Sequence, residues 1–460
     1  MIKLGDFLLL VLSIAIIGCL LFAHRRLRIT DFDPITLFLW GWLGVFALLS
    51  ANLITYPNIL SIKTFLILNT FICAVFFGGL VAGLKRPEKQ AVSADTDRSI
   101  LRLIVIFEVG FFVYATTSIT NILSAGQLIF ADIGSLRAEH WLLASQTGEV
   151  DVADVFQSIG RTTGILLLAI PTSSLKAIHK RPLIMKLVVW SFLCLEQLSV
   201  GGRGVIFYGS VIWAYSAWIQ RQHDRGSQAR DLQRVFSRAK RVLGYVGLTA
   251  SFYLLLVVFP SARNSDYVDN YDKYLWFKHD NHISLWVRSA SDDLPFLPGL
   301  AFATSYFSLP VVKFTDAIDV HKIENWYYGG GYNFALVSKV LQPITGVNNF
   351  YQARNQIADN ISRQGYSTLN PWGTFARDFI IDFGLFGGVI FAFAFGYLLQ
   401  RVYIYAVLQG GVLTVIFGAF SGLCAPLAIF TSPLNITFVA NPLAVILLLL
   451  FAYNLLRKMS

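Results

Sequence analysis

Charge is what this chain has least of. Only 14% of its 460 residues are Asp, Glu, Lys or Arg, against about 25% in an ordinary soluble domain. That scarcity argues against a water-soluble globule. Cysteine is scarce too. Cys19, Cys73, Cys194 and Cys424 all fall inside apolar runs, and none stands at a zinc-like spacing from another. They read as small core hydrophobes with no disulfide framework. There is no GxxxxGK[ST] phosphate loop, no HExxH and no GxSxG. A nucleotide motor, a zinc peptidase and a serine hydrolase therefore have no support. His279 and His282 sit i, i+3 in an acidic stretch and read as solvated loop histidines rather than metal ligands. Neither a metal nor a cofactor is expected. Internal repeats, heptads and low-complexity tracts are missing as well.

What is present is apolar. Hydrophobic residues make up 55% of the chain, and the mean hydropathy is +0.59. Many runs approach the roughly 20 residues needed to cross a bilayer as a helix. The fold class expected is an all-α polytopic membrane protein. The net charge of +10 would suggest nucleic acid in a soluble protein. Here much of the Lys and Arg sits in short loops between apolar runs, which is the positive-inside pattern, so nucleic acid is not an expected partner. The run 8–22 is followed, not led, by the basic cluster His24-Arg25-Arg26-Leu27-Arg28, and it lacks a small-x-small cleavage site. It reads as a retained membrane helix.

Taken in order, spans are expected over 4–24, 35–55, 64–84, 100–123, 156–175, 186–199, 204–219 and 242–260, then over 384–402, 405–426 and 436–456. That makes about eleven crossings, with the N-terminus outside and the C-terminus inside. The basic loop 220–241 is the most strongly cytoplasmic segment. Three regions follow: a first helix bundle, 1–260, with an extracytoplasmic segment at 124–155; a large extracytoplasmic loop, 261–383; and C-terminal helices, 384–460. Within the loop, the apolar run 299–315 is interrupted by Pro310 and Lys313. It reads as a re-entrant or interfacial helix.

Candidate chemistry gathers on the extracytoplasmic side. Arg203 lies in a tight Gly-Gly-Arg-Gly turn, where a guanidinium could grip a phosphate in bidentate fashion or snorkel to lipid headgroups. Arg137, Glu139 and His140 offer an anion contact with a titratable pair, or an exposed helix face. Arg354, Arg363 and Arg377 together would suit a polyanionic lipid head. Tyr328, beside Trp326 and Tyr327, offers a flat face for sugar stacking or interfacial anchoring. Asp378 and Asp382 stand i, i+4 on one helical face. Like charges so placed repel, so an arginine partner is expected. Either carboxylate could serve as a base or only hold that arginine.

The stretch from Tyr366 to Gly396 ties these together. It opens polar, with Asn370-Pro371-Trp372, carries Arg377, Asp378 and Asp382 in an apolar run, and breaks at Gly384. Charges at the mouth of a membrane helix are costly and need a reason. With the Gly-Gly-Arg-Gly turn and the later Gly331-Tyr332-Asn333-Phe334, this stretch resembles the Wzy-type polymerases of bacterial O-antigen and capsule repeat units. The resemblance covers most of the chain through short motifs, of which Asp382-Phe383-Gly384 and the Gly-rich helix after it are the best match. Asn370 is followed here by Pro371 rather than the family's apolar-aromatic-Thr run, with Thr374 set later.

The resemblance implies a GT-C-like, metal-independent glycosyltransferase of the bacterial inner membrane. It would join undecaprenyl-diphosphate-linked oligosaccharide repeat units on the periplasmic face. The site residues would be Arg137, Arg203, Arg354, Arg363, Arg377, Tyr328 and Asn370 for binding. Asp378, Asp382, Glu139 and His140 are rival candidates for the catalytic carboxylates or base. Lipid-linked oligosaccharide and membrane lipid are the partners it implies, and it leaves room for a chain-length regulator protein. The alternatives are an O-antigen ligase and a lipid-linked oligosaccharide flippase or other transporter. A ligase would carry a histidine late in its large loop, whereas His321 is the last histidine of the chain.

Overall fold

A computed structural model describes residues 3–25, 30–56, 59–84, 94–126, 152–199, 204–225, 282–291, 293–294, 297–319, 322–323, 329, 333, 373–435 and 439–447. In chain order the elements are α1 (Leu4–His24), α2 (Pro34–Ser50), β1 (Ile54–Thr55), α3 (Ile62–Leu84), α4 (Ala94–Gly126), α5 (Val152–Ala169), the single turn α6 (Thr172–Leu175), α7 (Pro182–Ser199) and α8 (Gly204–Arg225). Then come β2 (His282–Ile283), α9 (Leu285–Ala290), α10 (Leu297–Asp319), α11 (Thr374–Gln409) and α12 (Val412–Leu427).

The protein is mostly helical and belongs to the all-α membrane class. Four of the described helical stretches are long and apolar enough to cross a bilayer: Leu4–His24, Ile62–Leu84, Arg102–Ile119 within α4, and Thr374–Gln409. The helices α2 and α12 are shorter but apolar. Large apolar side chains such as Phe22, Leu66, Phe112, Val188 and Phe386 point outward, as they do where lipid is the solvent. Helices α5, α7 and α8 stand where spans were expected. The expected span 242–260 lies outside the described residues. The four cysteines are free.

The chain divides into two compact units. One comprises Met1–Leu84, Gln228–Leu398 and Ala425–Asn435. Its first two helices are closed by a buried pair: His24 Nε2 hydrogen-bonds both carboxylate oxygens of Asp33 at 3.0 and 2.8 Å. Asp33 also caps α2, accepting the Thr36 N–H at 2.8 Å, with Pro34 at the first helical position. That combination satisfies an otherwise orphan donor. A side-chain bond from Asn69 to Ser13 at 3.0 Å links α3 to α1. The core is aromatic. Phe375 meets Phe38, Trp42, Phe71 and Phe379 edge-on. Antiparallel β1–β2 pairs Ile54 with Ile283 and Thr55 with His282. Helix α10 is stitched to the segment between α2 and α3 through Tyr56–Ser308 at 2.6 Å and Thr315 to the Ile59 carbonyl at 2.9 Å.

The other unit comprises Lys85–Ser227, Leu399–Cys424 and Ile436–Ser460. Here the carbonyls at the end of α5 are satisfied from neighbouring helices. Lys186 Nζ donates to Leu168 O at 2.9 Å and to Ile170 O, and Ser216 Oγ donates to Ala169 O at 2.7 Å. A buried cation at a helix C-terminus also meets the negative end of the helix dipole.

Within α11 the chain breaks at Gly384, with φ 67° and ψ −179°. That conformation is essentially closed to residues with a Cβ. The expected break at Gly384 is therefore present, but the helix does not begin there. Residues 374–383 form a helical segment of their own, because Phe375, Ala376, Phe379, Ile380 and Ile381 are all buried.

Candidate functional site

The start of α11 gathers the polar groups that the sequence singled out. The amides of Gly373 and Thr374 donate to the Phe430 carbonyl at 2.8 and 3.0 Å, and Phe375 N donates to Ala428 O at 3.0 Å. These donors are the ones a helix leaves without intrahelical partners. The carbonyls of the turn 428–430 fill them, so this helix end is not an open anion cradle. Thr374 has φ 63° and takes the Arg377 N–H on its Oγ1 at 3.3 Å, acting as the cap.

Arg377 and Asp378 are buried together, at 3% and 0% exposure. Arg377 straddles one carboxylate oxygen, Oδ1 of Asp378, with Nε at 3.0 Å and an Nη at 2.9 Å. The other oxygen, Oδ2, accepts from Thr431 Oγ1 and from the Ser432 amide at 2.6 Å. The arginine partner expected for the Asp378–Asp382 pair is thus Arg377, for Asp378. Asp382, also 0% exposed, turns to a different partner. Its Oδ2 accepts both the backbone and side-chain N–H of Asn333, at 2.7 and 2.5 Å. The Gly329 amide donates to the Asp382 carbonyl at 2.9 Å, and Asn333 Nδ2 reaches the Asp378 carbonyl at 2.8 Å. The two carboxylates, one turn apart, are separated in role. One ties the helix to 431–432, the other ties it to 329–333. Carboxylates enclosed like this orient their partners. To take a proton from a sugar hydroxyl, either would first have to be uncovered.

A lysine joins the arginine. Lys313, on the α10 face shared with Asp316, is half-buried. Its pKa is pushed down to about 7 by burial and by the positive charge of Arg377, with Asp316 acting in the opposite sense. The amine therefore stands within electrostatic range of the guanidinium. Lys313 first stood out only as an interruption of an apolar run, and that interruption was the available signal. Thr431 and Ser432 gave a weaker one, as polar residues ahead of Pro433. Asn333 lies in the Gly331–Phe334 motif.

Arg377, Asp378 and Asp382 are thus brought together with Asn333, Lys313, Thr431 and Ser432. Arg137, Glu139, His140, Arg203, Tyr328, Arg354, Arg363 and Asn370 lie outside the described residues. No group of three or more His, Cys, Asp or Glu able to hold a metal occurs among the described residues. Comparison with protein-family models, with curated proteins and with solved structures returned no match.

Proposed function

We propose that this protein is an inner-membrane polymerase that joins undecaprenyl-diphosphate-linked oligosaccharide repeat units on the periplasmic face. It is a metal-independent glycosyltransferase in which the diphosphate of the donor is the leaving group. The observation that carries this reading is the buried Arg377–Asp378 fork at the start of a membrane helix, with Lys313 within electrostatic range of it. Buried charge at a membrane mouth is expensive, and it marks function more often than not. A diphosphate leaving group asks for guanidinium and ammonium groups rather than a nucleotide pocket.

In this reading Arg377 contacts or orients the diphosphate, together with Arg137, Arg203, Arg354 and Arg363. Asp378 and Asp382 hold the α11 segment and its arginine in register. Glu139 and His140 are the candidates for the base that takes the proton of the acceptor hydroxyl, and Tyr328 and Asn370 meet the sugars. Bond making is balanced. The acceptor oxygen replaces the diphosphate oxygen at the anomeric carbon, its proton passes to the base, and the polyprenyl diphosphate departs. The test is a deletion strain. Loss of long polysaccharide ladders with retention of single capped units is expected. Persistent ladders overturn the polymerase reading, and loss of even single units points to a flippase or ligase.

A further inference from the structure

The unit containing α4, α5, α7 and α8 holds a charged cluster that the α11 site does not use. Arg161 on α5 binds Glu196 on α7 through Nε at 3.0 Å and through an Nη. The hydroxyl of Tyr114, on α4, lies in the field of both charges. It is buried and completes no hydrogen bond of good geometry. Gly160 fixes its place, because a Cβ there would collide with the Tyr114 ring. Three helices therefore converge on one guanidinium, one carboxylate and one phenol.

Access decides what such a cluster is for. The Arg161 side chain is 23% exposed and Glu196 only 6%. The cation is the face the pair presents, and the carboxylate is the part it hides.

We propose that Arg161, held by Glu196 and flanked by the Tyr114 hydroxyl, contacts a phosphate of the lipid-linked substrate. Glu196 is the counter-ion that keeps the guanidinium placed when no substrate is bound, and the phenol is a ready donor to a phosphate oxygen. The identity of the ligand rests on the polymerase reading. The contact itself rests on the cluster.

The test uses full-length protein in nanodiscs and three probes: farnesyl diphosphate, inorganic diphosphate and phosphatidylglycerol. Arg161→Gln alone would strand a buried carboxylate, so it is made together with Glu196→Gln, which leaves a neutral amide pair with no stranded charge. E196Q should bind farnesyl diphosphate as well as the native protein or better, because the anion loses its competitor. R161Q/E196Q should bind it roughly ten- to hundredfold more weakly, the scale of a charged hydrogen bond. Y114F should bind a few-fold more weakly. Inorganic diphosphate with the same Arg161 dependence supports the contact. Equal binding by E196Q and R161Q/E196Q overturns it, because a merely structural pair treats both variants alike. Phosphatidylglycerol binding as tightly as farnesyl diphosphate overturns the substrate assignment. If the native protein binds neither diphosphate probe, the polymerase reading falls together with this one.

Discussion

Asn333 donates twice to one atom: its backbone N–H and its side-chain amide both end on Oδ2 of Asp382, at 2.7 and 2.5 Å. Two N–H groups on a single buried carboxylate oxygen form a clamp between the 329–333 segment and the start of α11. Charge-assisted bonds of this kind contribute about 1.5–3 kcal/mol each when buried. Asn333→Ala should therefore lower the unfolding midpoint in detergent by several degrees and reduce polymer formation in cells. A double-mutant cycle with Asp382→Asn should show coupling, because Asn333→Ala removes one of the two donors on Oδ2 and Asp382→Asn removes the charge that both donors meet. Additive effects would show that the clamp contributes nothing of its own.

Asp378 holds three groups at once, so its replacement should be worse than that of any one of them. Asp378→Asn leaves Arg377 buried without its counter-charge, a loss of about 3–5 kcal/mol in comparable buried pairs. Thr431→Val removes one hydroxyl donor from the buried carboxylate and should cost about 1.5–3 kcal/mol. If Asp378 is an orienting group, T431V should depress polymer yield in the same sense as D378N but less. Native chain length in a folded D378N protein would remove the Arg377–Asp378 fork from the site.

Gly384 turns the chain at φ 67°, ψ −179°. Gly384→Ala should destabilise by about 1–3 kcal/mol, because that region is nearly closed to an L side chain. Limited proteolysis or thermal unfolding of the purified protein would check it. An unchanged G384A protein would mean that the break is readily straightened.

Lys313 supplies a pH signature. Its folded-state pKa is lowered to about 7 from the ordinary 10.5, by burial first and then by Arg377. Between those values the unfolded chain holds the proton and the folded chain does not. Stability therefore rises with pH across that window. Lys313→Met should abolish that part of the rise, so the two proteins should differ more at pH 7 than at pH 10. The same amine should react with acylating reagents near neutral pH, faster than ordinary lysines. A native-like pH profile in K313M would show that the amine is not held buried with a lowered pKa.

The sequence could announce charges at a helix mouth but not their pairing. Asp378 and Asp382 stand i, i+4, and that spacing predicts mutual repulsion and an arginine partner. The partner expected, Arg377, is present for Asp378. The partner of Asp382 is an asparagine 49 positions upstream, and no local pattern specifies it. The helix also begins earlier than the expected span 384–402, at Thr374, with Gly384 as a break inside it. The earlier helical segment, 374–383, is held by carbonyls at 428 and 430, far along the chain.

By itself the sequence determined the solvent and the architecture. Low charge and long apolar runs leave a helical membrane protein as the stable solution, because a backbone in lipid must satisfy its own hydrogen bonds. It also marked Gly384 and the charged residues around it. Only the tertiary structure decided which group meets which charge. Arg377 with Asp378, Asn333 with Asp382 and Arg161 with Glu196 are choices made by packing. Pairing in a low-dielectric interior depends on distances of a few ångströms between segments far apart in the chain, and a linear pattern carries no record of those distances.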